Sequence, residues 1–593
     1  MDNSHSFLPN LHYLSRHATG MMERLPRELL DHILSFVPLD DIWNCFYVSR
    51  KFRKAAEVNA YSSVTLTEKN AEAVLNRYCS GHWRNLREIV FQTSLPSPEY
   101  PYSRLFDETP PNIYREDAVT LRAYDEEFTR QIGFFFDTIH TLENYHAASP
   151  VKGSIELIVY LPKMAINLDE FPLQRAFSSW RIHLLNPSSL PTLQSIRSLV
   201  LARPQQHSIA ARRDSNSAYM TIRRLDYRVL LDISARLPRL STLQCRLGAD
   251  ELSANSTSSA FGWNTTLRYA LGDWLGPRRD ARSDFADAVE TANAEGLRHV
   301  NLDFLFPIKD ISAVDQRIPM PNLIGQRCCD PLSSSLRVLS YGLRSMRLRG
   351  IFDSSLFWPA GGDTLCWPNL EHLHVMFYMA SPSGSWYFDS PPGLHVDNAD
   401  GEIGFAQDEL YPPSSDGLDE YHEAHRSALS GRVYKFQFRS EPVSHTLTPF
   451  LTAFAKAAAQ MRKLKAFELW APIEWELQDQ FEWEWDLSAI AAGTRDELMA
   501  PSLAWGIAYA DRGVRTFSSD CGEIVPAARQ LWWRTADWRP QQDLHRLFQQ
   551  IGADRSDEPA VEHFDPESRL RAQGRLDFEA AGLASNGLSD TTI

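Results

Sequence analysis

Histidine, cysteine and arginine are the residues from which this chain could build chemistry, and their spacing mostly argues against it. The nearest zinc-like string is His422-Glu423-Ala424-His425. It is one residue short of the i, i+4 interval that puts two imidazoles on one helix face. Cys328 and Cys329 are adjacent and do not make a C-x-x-C knuckle. His372 and His374 stand two apart on a predicted strand, hence on one face, with no third ligand evident. Phosphate-binding glycine loops, a G-x-S-x-G elbow and an H-E-x-x-H pair do not occur. The sequence therefore predicts no catalytic centre, no metal and no cofactor. Its most suggestive charges are Arg344, Arg347 and Arg349 in GLRSMRLRG, with Arg278-Arg279 and Arg223-Arg224 elsewhere. Guanidinium groups so placed suit bidentate contacts to a phosphorylated or acidic peptide. The plainer alternative is a solvated strand edge paired with carboxylates.

The elements that would present such residues begin with Leu25–Ala56, LPRELLDHILSFVPLDDIWNCFYVSRKFRKAA. Pro26 suits a first helical turn, and Glu28 suits the positive end of a helix. Leu29, Leu30, Ile33, Leu34 and Val37 fall at i, i+1, i+4, i+5 and i+8, an apolar stripe. Pro38 stops that helix. Asp40 is a plausible N-cap for a second helix carrying Ile42, Cys45 and Phe46, and Ser49 for a third carrying Phe52, Ala55 and Ala56. A block of about forty residues buries too little area to stand alone, so it must lean on the next domain, a partner, or both.

The string L-P-x-E-L-L-x-x-I-L-S-F-V-P-L-D-D-I, followed by C-F-Y-V-S-R-K-F-R, resembles the F-box motif. Leu25, Pro26, Leu29, Ile33 and Val48 match its usual apolar positions, and Phe52 stands where an aromatic is common. The resemblance implies a three-helix F-box over 23–66 that packs on a Skp-type adaptor, which joins it to a cullin-based ubiquitin ligase. The implied contact set is Leu25, Pro26, Leu29, Leu30, Ile33, Leu34, Val37, Ile42, Val48 and Phe52.

The chain has 593 residues and a formal net charge of -15. That charge argues against general nucleic-acid affinity, since no surplus cation can displace counterions from phosphates. No stretch approaches the roughly 20 apolar residues of a membrane span, and seven scattered cysteines suit a reducing, intracellular compartment, nucleus or cytoplasm.

Beyond residue 66 a rhythm of amphipathic helix, turn and L-x-x-L-x-L strand recurs. Helices over Asn70–Cys79, Asp125–Leu142, Leu225–Leu237, Ser283–Ala294 and Thr446–Gln460 precede strands at Leu86, Ile155, Leu240, Leu297 and Leu464. Further strands are expected from Leu193, Leu336 and Leu370. Alternation of this kind predicts an α/β fold with a parallel sheet. The strand grammar is similar to that of leucine-rich repeats, which implies an irregular solenoid over 67–553. The units here are about 45 to 70 residues apart against the usual 20 to 29, and a doubly wound α/β domain is the alternative.

Two regions break the rhythm. An acidic, Pro- and Gly-rich loop is expected at about 380–430, and PIEWELQDQFEWEWD offers Trp475, Trp483 and Trp485 for packing. Aromatic strands from Leu503 and Gln530 are expected to close the far end, and 1–22 and 554–593 read as disordered tails. The expected role is that of a bridge, not an enzyme: the F-box docks an adaptor and the long region takes an unknown protein target, with a non-ligase scaffold as the alternative.

Overall fold

The structure, a computed structural model, describes residues 25–37, 39–96, 116–147, 154–167, 180–203, 218–247, 276–291, 296–305, 316, 320, 322–359, 361, 365, 367–392, 438–473, 503–514, 527–555 and 558–564. It is a mixed α/β protein with a small helical block at the N-terminal end. That block comprises α1 (Arg27–Ser35), the short α2 (Leu39–Ile42), a 3-10 turn (Trp43–Tyr47) and α3 (Arg50–Ala60).

Beyond that block the described residues form a thirteen-stranded sheet. Its strands are β1 (Ser63–Leu66), β2 (Glu88–Leu95), β3 (Ile155–Asn167), β4 (Ile196–Ala202), β5 (Ala218–Ile222), β6 (Thr242–Arg246), β7 (His299–Asp303), β8 (Ser345–Gly350), β9 (His372–Phe377), β12 (Ala466–Ile473), β13 (Leu503–Ala510), β14 (Gln530–Arg534) and β15 (Val561–Phe564). All lie side by side in chain order except β5, which pairs antiparallel with β3. Pairing is parallel from β1 to β12, antiparallel across β13 and parallel again at β15. A separate ribbon joins β10 (Phe388–Asp389) to β11 (Glu441–Pro442). The crossovers carry α4 (Ala71–Cys79), α5 (Ala118–Tyr145), α6 (Tyr227–Ser234), α7 (Pro277–Thr291), α8 (Pro331–Ser340) and α9 (Ser444–Gln460), and α10 (Gln542–Gln549) precedes β15.

Register explains the strand grammar. Ile89, Leu157, Leu199, Leu243, Val300, Met346, Leu373, Phe467, Tyr509 and Leu531 align across successive strands. Two residues on, the row from Phe91 to Trp533 does the same. Strand alternation sends both rows to one face, where with the helices they form a single continuous core. The first leucine of each motif, as in Leu86, Leu240, Leu297, Leu343, Leu370 and Leu464, is buried just before its strand. The intervening row turns to the other face and becomes polar towards its middle: Gln244, Asn301, Arg347, His374, Glu468.

Three expectations need correction. The segment from Leu336 is helical, not a strand, and the strand comes later, at Ser345–Gly350, led in by Leu343. Leu332, Leu336, Leu339 and Leu343 keep helical spacing, Pro331 opens the helix, and Asp330 caps it by accepting from Ser333 N at 2.8 Å. Asp330 is itself held by Arg282 at 2.7 and 2.8 Å, both side chains fully buried. Second, the segment 380–392 is folded: Ala380 bridges Trp386, and Tyr387 and Phe388 are buried. The rest of the acidic segment, 393–437, lies outside the described residues, as do His422, His425, Trp475, Trp483, Trp485 and the N-terminal tail 1–22. Third, the described residues past Asp554, 555 and 558–564, are part of the fold. Arg529 donates to the carbonyls of Gln549, Ile551 and Glu558, and Val561 N donates to Arg529 O at 2.8 Å, which leads β15 onto β14. Residues 565–593 lie outside the described residues.

Candidate docking surface

The N-terminal block spends its apolar residues in two directions. Leu30 and Leu34, four apart on α1, turn inward onto Ile42 and onto Phe52, Ala55, Ala56 and Ala60 of α3. With four alanine-sized or single aromatic contacts on the α3 side, this is a thin core. Ser49 caps α3 by accepting from Phe52 N at 3.3 Å, as its position suggested. The second helix, α2, begins at Leu39, so Asp40 lies within it and not before it, and Pro26 sits at the N-cap of α1, one place before the helix.

The outward face is apolar too. Leu29, Ile33 and Phe36, at i, i+4 and i+7, are 49%, 44% and 74% exposed. Trp43, Tyr47 and Val48 follow on and beside the 3-10 turn at 43%, 86% and 45%. Other exposed large apolar side chains among the described residues, Val119, Phe134, Tyr145, Val338 and Val561, are spread over the rest of the chain. Concentrated exposure of this kind marks an interaction surface, whereas scattered apolar residues do not. Trp43 is steadied by Phe46, with ring centres 5.0 Å apart, and by an edge contact with Tyr61 at 5.8 Å. A preset aromatic loses little rotamer freedom on binding. Burial and the neighbouring charge of Asp41 push the Cys45 thiol up, so it stays neutral at pH 7 and adds no charge here.

The block is tied to the sheet. Tyr61 stacks on His82 with centroids 3.8 Å apart, Tyr78 Oη donates to Tyr61 O at 3.2 Å, and the amides of Arg87 and Glu88 donate to Ser62 O at 2.7 and 2.9 Å. α3 therefore runs into β1, the edge strand, with only Tyr61 and Ser62 between them.

Of the ten residues assigned to adaptor contact, the structure divides the set. Leu29, Ile33, Val48 and Pro26 are exposed, and Leu25 and Val37 are half-buried. Leu30, Leu34, Ile42 and Phe52 are buried in the block's own core and are not surface residues. Phe36, Trp43 and Tyr47 belong to the exposed face and were not singled out from sequence.

Residues 22–66 match the F-box-like family. The match ends at Leu66, the last residue of β1. A comparison with curated proteins gave no match. The chain thus carries an F-box-like domain, a module of protein–protein interaction that generally binds Skp-type adaptors. Among the described residues no helix is long and apolar enough to cross a membrane.

The arginines of β8 do not form one cationic surface. Arg344 is exposed, just ahead of the strand. Arg347 is buried between Asn301 and His374, and Arg349 is half-buried with Nη1 3.2 Å from Asp303 Oδ2. Arg223 is buried against Glu116, and Arg278 is buried as well. Strand alternation explains this, because Arg347 and Arg349 share the face that also carries Asp303 and Glu468. His374 is likewise internal: Trp470 Nε1 donates to its Nε2 at 3.2 Å, and Nδ1 faces Glu468. Burial holds its pKa down against the pull of Glu468, leaving a neutral ring.

Proposed function

We propose that this protein is a substrate-recognition subunit of a cullin-based ubiquitin ligase inside the cell. In this reading the F-box-like domain docks a Skp-type adaptor, through it cullin, and the body holds a target protein. The observation that carries the reading is the apolar face of Leu29, Ile33, Phe36, Trp43, Tyr47 and Val48, left exposed on a domain too small to waste it. Burying apolar area contributes about 25 cal/mol per Å², and a few central aromatic or aliphatic anchors carry most of an interface's energy.

The body is read as an irregular leucine-rich-repeat-like solenoid. Support comes from strands added in chain order, from the repeated inward rows and from helices packed on one face. Such a frame is non-catalytic. It acts by proximity, raising the effective concentration of a target lysine near a ubiquitin-charged enzyme supplied by other subunits. Rigid coupling of α3 to β1 helps, because a fixed geometry preserves that concentration.

The test is co-purification of adaptor and cullin with the wild-type chain and with a Leu29→Ala/Ile33→Ala/Val48→Ala variant. Both partners should be captured by the wild type and lost from the folded variant. Capture of the adaptor without cullin would overturn the ligase reading, and unchanged capture by the variant would overturn the docking assignment.

A further inference from the structure

Outside the docking face, four elements bring one histidine and several carboxylates together. The backbone at Ile182 bridges the segment before α6: Ile182 N donates to Arg224 O at 2.8 Å, and Asp226 N to Ile182 O at 2.9 Å. This seats His183 beside Asp226, the N-cap of α6. On the other side Asp125 of α5 accepts from His183 N through Oδ1 at 2.9 Å. Its Oδ2 lies 3.6 Å from His183 Nδ1, while His183 Nε2 lies 3.6 Å from Asp226 Oδ2. Asp284 of α7 completes the group, so that one donor atom each from His183, Asp226 and Asp284 fall within 4.8 Å of one another.

We propose that His183, Asp226 and Asp284 bind a divalent transition-metal ion of the zinc class, with Asp125 as the carboxylate that orients the histidine. Two independent features point this way. The donor set is one imidazole and two carboxylates from three separate segments, a composition suited to zinc and its neighbours. The second is Asp125, which accepts from the His183 amide and stands behind the ring with Oδ2 3.6 Å from Nδ1, leaving Nε2 towards Asp226; an orienting carboxylate takes up that place behind a metal-binding histidine. Donors about 2.0–2.2 Å from a tetrahedral ion stand about 3.3–3.6 Å apart. The ion therefore draws the three inward, and the half-exposed Asp284 is freer to move than the buried Asp226.

The electrostatics agree with the geometry. Burial, then the charge of Asp226, raises Asp284 to about 6. Burial likewise raises Asp226, against His183 and the Arg228 amide. Burial disfavours a charged His183, yet Asp125, Asp226 and Asp284 together raise its pKa. Nearby cations are Arg228, 3.3 Å from Asp232, and Arg181, whose guanidinium lies over the Tyr227 ring. Asp125, Asp226, Asp232 and Asp284 thus outnumber the two guanidinium groups around His183.

The role is a clip between the segment at His183, α6 and α7, next to the core but away from the F-box-like domain. The test uses the full-length chain, stripped with chelator and titrated calorimetrically with Zn²⁺, with Co²⁺ visible absorption as a second readout. One saturable site is expected in the wild type. It should be lost in His183→Gln and in Asp284→Asn, the latter a half-exposed change that the fold tolerates, and weakened about 10–100-fold in Asp125→Asn. A flat wild-type titration, or an isotherm unchanged in Asp284→Asn, overturns the proposal.

Discussion

The F-box-like domain and the sheet body use the same kinds of residue to opposite ends. In the body, leucine rows and aromatics such as Trp83, Trp470 and Trp533 are almost fully buried, and even charged groups such as Arg282 and Asp330 are buried in pairs. In the N-terminal domain, α1 buries Leu30 and Leu34 but leaves their immediate neighbours Leu29 and Ile33 in water. The body is organised around its own stability. The small domain is organised around a surface, and borrows rigidity through Tyr61, Ser62 and β1.

Substitutions in the two regions should have separable effects. The largest effect is expected from Asp330→Ala, which strands the buried Arg282 guanidinium and uncaps α8. A loss of about 3–5 kcal/mol in body stability is expected, read by denaturant unfolding. Phe52→Ala should cost the thin F-box core about 3–5 kcal/mol, seen as a separate early melting of the N-terminal domain in calorimetry while the sheet transition stays in place.

Leu29→Asp and Ile33→Asp should do the reverse. Each is expected to weaken adaptor binding by at least about 2 kcal/mol while moving stability by no more than about 0.5 kcal/mol. Parallel titration and melting curves check this, and equal losses in both would merge the two regions' roles.

The smallest effect concerns pH. Asp284, raised to about 6, binds its proton more tightly folded than unfolded. Its favourable contribution is therefore complete below its ordinary carboxylate range and is lost as pH rises through about 6. In metal-free protein the wild type should lose stability from pH 4 to pH 6.5 relative to Asp284→Asn, by an amount reduced by partial exposure. Thermal melts across that range test the sign.

Much of the body was legible because a period-2 strand pattern and a parallel register repeat the same instruction. Leu240, Leu243 and Cys245, or Leu464, Phe467 and Leu469, read as inward residues from spacing alone. Leu336 misled because Leu336 and Leu339 open with the L-x-x-L spacing of the strand motif, while Leu332 and Leu343 extend the same leucines at helical intervals. What settles the helix there is Asp330, whose partner Arg282 is distant in sequence. In the F-box-like domain the stripe was visible but its two edges were not: the adjacent pairs Leu29-Leu30 and Ile33-Leu34 are each offset by 100° around the helix, so one of each pair faces in. Trp43 and Tyr47 escaped notice because a 3-10 turn has no α-helical period to follow, whereas Phe36 keeps the period of Leu29 and Ile33 but stands past the end of α1, at its C-cap. The grouping of His183 with Asp226 and Asp284 depends on chain crossings that no local pattern records.

The central claim is that the apolar face between Leu29 and Val48 is a docking surface. Hydrogen–deuterium exchange of the full-length chain with and without a Skp-type adaptor tests it most directly. New protection is expected in α1, the 3-10 turn and the start of α3 alone, with β2 to β15 unchanged. Protection in the sheet body alone, or none in the N-terminal domain at saturating adaptor, would contradict it.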